Sequence, residues 1–180
     1  MAEIITANVK TFKRPECFRN CLAAIANSGI KKVLVGFDGP KELLGVHEQI
    51  VKEFSSVLDI ELYTFPYNYG LSAVRNRLAE HTKTKYLFQI DDDNYIPTNS
   101  LDILPFMEKY ENCGAVAIGW IQKFANSPSI IKYGPFMDAW DFELKNGKFI
   151  ITMNLRNKQT EILNNLLFVY PFDFIPNCAI

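Results

Sequence analysis

Residues 85–97, KYLFQIDDDNYIP, drive an apolar run from Tyr86 to Ile90 straight into three consecutive carboxylates, Asp91, Asp92 and Asp93, with Pro97 four residues further on. An apolar run this short, bounded by charge and proline, reads as a buried strand that ends where the aspartates begin. Three more segments upstream read the same way: EIITANVK (3–10), KKVLVGF (31–37) and IELYTF (60–65). Between and after them, PECFRNCLAAIANS (15–28), PKELLGVHEQIVKEFSS (40–56), GLSAVRNRLAEHT (70–82) and TNSLDILPFMEKYE (98–111) carry apolar residues at helical spacing. The order is βαβαβαβα, which predicts an α/β fold with a mostly parallel central sheet and helices on both faces, since parallel neighbours need crossover connections. Sheets of this kind bind ligands at the carboxyl ends of their strands. Those ends carry TFKRP, DGP, PYNYG and DDDNYIP, three of which are charged.

The triple aspartate then has to be explained. Neighbouring carboxylates repel by about 4 kcal/mol for a close pair at an intermediate effective dielectric. A solvated acidic loop, or a capping region for the helix starting near Thr98, would relieve that repulsion; a bound cation relieves it more simply, because the carboxylates follow a buried strand directly. Oxygen donors suit a hard divalent ion, Mg or Mn, which keeps water and phosphate oxygens in its shell. Zinc is disfavoured because neither histidine, His47 or His81, is near this turn in sequence. The chain has no G-x-G-x-x-G after its first strand, and GPKELLGV places five residues between Gly39 and Gly45 without a following Lys-Ser or Lys-Thr, so it is not a P-loop. A diphosphate held through a metal, with a spare carboxylate accepting from ribose hydroxyls, is the arrangement expected.

The bulk numbers set the outer limits. At 180 residues and 48% hydrophobic content, the chain is predicted to form a single domain with a sizeable core. Nineteen Lys and Arg against twenty Asp and Glu leave a net charge of −1, which argues against nucleic acid as the main partner. No apolar run approaches the roughly 20 residues of a membrane span, and the first residues lack a signal-peptide pattern, so a cytoplasmic location is expected. Cys17, Cys21, Cys113 and Cys178 fit no zinc or redox spacing. After residue 110 the pattern changes: CGAVAIGWI is strand-like, AWDFELKNGKFIITMNL reads as a hairpin about Asn146-Gly147, and the tail to residue 180 is apolar and broken by Pro171 and Pro176.

Taken together, TFKRPECFRNCLAAI, VLVGFDGP and YNYGLSAVRNRLAEHTKTKYLFQIDDDNYIP resemble, in order and spacing over residues 4–110, the nucleotide-sugar half of a family 2 glycosyltransferase of the GT-A fold. The TKTKY and DDD stretch is also similar to ganglioside-type N-acetylgalactosaminyltransferases. The resemblance implies a metal-dependent transfer of a sugar from a nucleotide-diphosphate donor, UDP-sugar favoured, to a saccharide or other hydroxyl acceptor, with inversion. It implies a nucleotide-sugar-binding half over 1–97 and a partial acceptor half over 98–180. Thr11, Phe12 and Arg14 would border the base, Asp38 would accept from the uracil N–H, and Arg75 would sit near the base or diphosphate. Asp91 or Asp92 would contact ribose, and Asp93, with Asp91, would hold Mn or Mg. Phe12 and Lys13 stand where the family more often has Tyr and Asn, and FDGP has one aspartate rather than two.

Each residue also has a plainer role open to it. Thr11 can satisfy a turn, Arg14 can pair with Glu16, Asp38 can serve the Gly39-Pro40 turn, and Arg75 can be solvated. Ser72 is expected to cap the third helix, whose buried stripe is read as Leu71, Val74 and Leu78. Trp120 and Trp140 either line a sugar site or pack in the core. In the family the general base is an Asp or Glu beyond a strand in the acceptor half; FDFIPNCAI resembles the strand just before it, so a truncated chain lacking that base is expected. Asp138, Asp141, Glu143 and above all Asp173 are the remaining candidates. A catalytically impaired nucleotide-sugar-binding module, a metal-dependent nucleotidyltransferase, and a carbohydrate-binding or structural protein are the alternatives.

Overall fold

The computed structural model describes residues 4–109 and, beyond them, six strand segments between Trp120 and Tyr170. Its contacts divide the chain into two compact units, Met1–Leu101 and Asp102–Ala179.

The first unit is built on four parallel strands, β1 (Ile5–Thr11), β2 (Lys32–Phe37), β3 (Asp59–Thr64) and β4 (Tyr86–Asp91), in the order β3-β2-β1-β4. Three helices connect them: α1 (Pro15–Ser28), α2 (Leu44–Phe54) and α3 (Leu71–His81). Side chains alternate across β2 and show which helix covers which face. Leu34 packs with Val74 and Leu78 of α3 and Gly36 faces the same pair, while Phe37, one residue on, meets His47 of α2. Phe18 of α1 also stacks on His47, so α1 and α2 share one face and α3 covers the other.

This arrangement follows from chain order. The walk β1-β2-β3 proceeds in one direction, and β4 then returns to the free side of β1. The crevice between the carboxyl ends of β1 and β4 is therefore the switch point at which such sheets bind ligands. Register places Val9 beside Ile90 and Lys10 beside Asp91. Ile5, Ala7 and Val9 of β1, Val33, Leu34 and Val35 of β2, and Phe88 and Ile90 of β4 are buried; each large one contributes roughly 1.5–3 kcal/mol of burial, set against the entropy of ordering it.

The helices show where local signals were sufficient and where they were not. Pro15 occupies the first turn of α1 and Gly29 ends it at φ 90°, with Phe18, Cys21, Leu22 and Ile25 as the buried stripe. The expected α2 starts instead as a short 3-10 turn, Lys41–Leu43, after Pro40 in an extended conformation. α3 begins after Gly70 at φ 103° with no side-chain cap, so Ser72 lies inside the first turn rather than capping it. Val74 and Leu78 are buried as expected, but Leu71, in that first turn, is 44% exposed. The helix read over 98–111 is a 3-10 turn, Ser100–Ile103, followed by α4 (Leu104–Lys109). Pro105 explains this: without an N–H, and with its ring against the carbonyl four residues back, it is tolerated only in a helix's first turn.

In the second unit the hairpin expected about Asn146-Gly147 is present. β7 (Ala139–Lys145) pairs antiparallel with β8 (Lys148–Asn154), closing on Lys145 opposite Lys148. Two further antiparallel pairs are β5 (Trp120–Lys123) with β6 (Ile130–Tyr133), and β9 (Gln159–Leu163) with β10 (Leu166–Tyr170).

Candidate functional site

β4 ends at Asp91, and the chain turns at once, with the Asn94 N–H donating to the Asp91 carbonyl at 3.0 Å. That turn sends the three carboxylates to three different environments. Asp91 is partly exposed and pairs with Arg75 of α3. Asp92 is buried; its Oδ2 accepts from the Thr11 hydroxyl at 2.9 Å and its Oδ1 pairs with Arg14. Asp93 points outward and pairs with the other terminal nitrogen of Arg14. Among the described residues, the triple charge is thus compensated by two guanidiniums, where the sequence suggested a metal as the simplest partner. The alternative pairing of Arg14 with Glu16 does not occur either: Glu16 accepts from Arg19 at 2.6 Å.

Burial is the chief influence on Asp92, holding its carboxyl above the ordinary carboxylate value; the Thr11 hydroxyl and Arg14 oppose the shift and Asp93 adds to it. Nearby, burial pushes the Cys21 thiol well up, and the three aspartates push it further. Its Sγ donates weakly to the Asp91 carbonyl at 3.6 Å, so it behaves as a small core residue. Cys17 and Cys21 are both free thiols.

Asp38 is fully buried at the end of β2. Lys10 lies 2.8 Å from its Oδ1, the Gly70 N–H donates to its Oδ2 at 3.0 Å, and its carbonyl takes the Asn68 N–H at 2.8 Å. Asp38 therefore ties the loop between β3 and α3 to the sheet through its Oδ2 and its carbonyl, while its buried Oδ1 is ion-paired with Lys10 without a hydrogen bond. Beside it stands an aromatic pair, Phe12 and Tyr67, with ring centroids 5.7 Å apart. Lys10 lies 4.6 Å and Lys13 5.0 Å from the Phe12 centroid, and Tyr67 is 62% exposed. Thr11, Phe12, Arg14, Arg75 and the three aspartates are thus brought to one edge, the carboxyl ends of β1 and β4.

His47 corrects the sequence reading. Read as remote from the aspartates, it is buried with its Nε2 3.2 Å from the Thr11 hydroxyl, one side chain away from Asp92. Lys10, Gly70 and Tyr67 were also missed. Only the apolar spacing of α2, which turns His47 toward the sheet three residues before the buried Ile50, carried a signal for any of them.

No three His, Cys, Asp or Glu side chains among the described residues converge as a metal cage. The partly exposed oxygens of Asp91 and Asp93 nevertheless fit a hard cation that draws most of its shell from water and phosphate. A separate cleft of about 410 Å³ opens at the amino-terminal ends of the strands, beside Thr6, Lys32, Asp59, Glu61 and His81, away from this site. Lys32 there is paired with Asp59 and Glu61. Asp138 and Asp173, with Cys113 and Cys178, lie outside the described residues; Asp141, Glu143 and Trp140 fall on β7 and Trp120 on β5. Among the described residues, no helix is long and apolar enough to cross a membrane.

The sequence pattern described as Glycosyl transferase family 2 matches residues 6–175. The chain belongs to that family. Its fold is similar to residues 1–349 of TarS from S. aureus, at TM-score 0.60 and 19% identity over 79% of this chain and 42% of that one. The same fragment in complex with UDP-GlcNAc aligns at TM-score 0.59 and 18% identity, over 76% and 39%. The mannosyltransferase PcManGT from Pyrobaculum calidifontis, in complex with GDP-Man and Mn2+, aligns at 0.52 and 15%, over 64% and 35%. These likenesses establish a GT-A type α/β fold. The family 2 domain described here spans about four-tenths of the TarS fragment's length. No curated protein matches it significantly in sequence.

Proposed function

We propose that this family 2 domain binds a nucleotide-diphosphate sugar, a UDP-sugar by preference, at the carboxyl ends of β1, β2 and β4, and transfers the sugar to an acceptor hydroxyl. The observation that carries the reading is the meeting of the Asp91–Asp93 turn with Thr11, Arg14 and Arg75 at the switch point of the sheet. Solved structures of similar fold with UDP-GlcNAc and with GDP-Man support the donor class.

In this reading the Phe12–Tyr67 pair offers ring faces to the base, flanked by Thr11 and Arg14, and Asp38 receives the uracil N–H by exchanging the Gly70 amide or Lys10 for it. Arg75, whose Nε is buried without a hydrogen-bond partner, presents positive charge toward the base or diphosphate. Asp91 or Asp92 accepts from ribose. Asp93, with Asp91, would hold Mn or Mg, and the ion when bound supplies charge neutralisation for the diphosphate leaving group. To hold it, Asp93 would give up its pairing with Arg14, and Asp91 would share its carboxylate with Arg75. Inversion by single displacement requires a carboxylate base within hydrogen-bond reach of the acceptor hydroxyl, for which Asp138, Asp141, Glu143 and Asp173 remain the candidates.

Calorimetric titration with UDP in the presence of Mn, repeated with EDTA, tests the site. Binding lost both with EDTA and in Asp93→Ala is the expected result; UDP binding indifferent to either removes Asp93 and the metal from the assignment. Slow hydrolysis of a UDP-sugar without acceptor separates a transferase from a domain that only binds, and turnover of a sugar phosphate with a nucleoside triphosphate would instead mark a nucleotidyltransferase.

A further inference from the structure

Asp38 keeps one oxygen that, among the described residues, receives no hydrogen bond. Its Oδ2 accepts from the Gly70 N–H at 3.0 Å, whereas its buried Oδ1 has the Lys10 ammonium 2.8 Å away but outside hydrogen-bonding geometry. A buried carboxylate oxygen without a donor is costly and uncommon, and it calls for a partner. Lys10 is the adjustable group beside it. Its side chain is 15% exposed, and its ammonium also lies 4.6 Å from the Phe12 ring centroid. The ammonium thus stands beside both the acceptor oxygen and the ring face that a bound base would use.

Strand order decides which edge of a base Lys10 would meet. Thr11 and Phe37 turn toward His47, so Lys10 and Asp38 meet on the opposite face of the sheet, the one that carries α3. β1 lies between β2 and β4, and Lys10 is in register with Asp91. With the base N–H on Asp38 and the ribose toward Asp91 or Asp92, Lys10 stands on the ribose side of Asp38. The substituent facing it is the one between that N–H and the glycosidic side of the ring. In uracil this is a carbonyl, an acceptor; in guanine it is the exocyclic amine, a donor. A lysine ammonium has three donors and no acceptor.

We propose that Lys10 is the residue that selects uracil over guanine in the donor. This deepens the donor-site reading given above and rests on it. The uracil N–H donates to Asp38 Oδ1, and the Lys10 ammonium, still the counter-ion of Asp38, donates to the neighbouring carbonyl. The Gly70 amide keeps Oδ2. Guanine places its amine against the ammonium, and with Oδ2 already taken no second acceptor oxygen is free for it. Two donors face each other and one goes unpaired, which is how a polar site rejects a near-analogue. Cytosine and adenine are rejected by Asp38 itself, because neither carries the ring N–H.

Calorimetric titration of the full chain with UDP, GDP, 2-thio-UDP and inosine diphosphate, all with Mn, tests the assignment. UDP should bind at least about tenfold more tightly than GDP. 2-thio-UDP, whose sulfur is a poorer acceptor at the atom facing Lys10, should bind more weakly than UDP. Inosine diphosphate, which is GDP without the amine, should bind more tightly than GDP. Lys10→Met, of similar length but without an N–H, should narrow the UDP-to-GDP ratio about tenfold and remove the penalty for the sulfur. An unchanged ratio in that variant, or inosine diphosphate no tighter than GDP, overturns the role of Lys10 and leaves the donor site standing. If Lys10→Met does not fold, for want of a counter-ion to Asp38, the ranking of the four ligands on the unaltered protein decides. If none of the four binds the unaltered protein, the donor-site reading falls and the assignment of Lys10 falls with it.

Discussion

Gly39→Ala should disturb the site from a position outside the Asp91–Asp93 turn. A Cβ built on Gly39 would stand 2.0 Å from the Phe12 carbonyl oxygen and 2.6 Å and 2.8 Å from two atoms of the Phe37 ring. Contacts of a real Cβ below 3.0 Å essentially do not occur, so the Phe12 carbonyl must retreat by about 1 Å. That oxygen belongs to the backbone and cannot swing aside as a side chain would. The segment that moves with it carries Lys13 and Arg14 into the first turn of α1, and Arg14 bridges Asp92 and Asp93. Overpacking of this kind costs about 1–3 kcal/mol, which for a chain of this length lowers Tm by roughly 2–12 °C. UDP affinity should fall further than the stability loss alone explains, since a displacement of about 1 Å is large for a positioned ligand contact. Gly45→Ala is the control: on α2, a Cβ there meets nothing within 4 Å, so stability should be unchanged or rise by about 0.5–1 kcal/mol. Thermal unfolding and UDP titration of both variants decide the matter. A Gly39→Ala protein as stable and as tight-binding as the parent would refute the close approach of β2's exit to the β1–α1 segment.

Other outcomes follow from individual groups. Folding raises the Asp92 carboxyl above its ordinary value of 3.8, so in the window opening upward from that value the native chain holds the more protons; this group's contribution to stability is full below the window and lost as pH rises through it. Urea unfolding at several pH values should therefore show Asp92→Asn gaining relative to the parent as pH increases, and a relative loss would contradict the assigned burial. Cys21 should resist alkylation in the native protein and react once unfolded, because burial suppresses its thiolate. Cys17, partly exposed on the same helix, should react first; the intervening Arg19 lets tryptic peptides report the two sites separately.

Much of the fold is legible without coordinates. The four strands and first three helices follow from apolar period, and α1 is delimited by Pro15 and Gly29, whose backbone preferences act on their immediate neighbours. The hairpin about Asn146-Gly147 is equally local. The aspartate turn was also recognisable as the centre of the candidate site, because three carboxylates at the end of a buried strand must be compensated. The arginine partners they meet were not. Arg14 and Arg75 reach Asp91–Asp93 from β1's exit and from α3, and His47 arrives from α2, because the sheet order β3-β2-β1-β4 folds β4 back beside β1. The parallel pairing of β1 with β2, Thr11 opposite Phe37, leaves Gly39 under the Phe12 carbonyl, where a sequence shows only a turn before Pro40. Periodicity and turn chemistry act over a few residues and are written in the chain. Counter-ions and buried relays are chosen among groups dozens of residues apart, and only the packing of the sheet decides which of them meet.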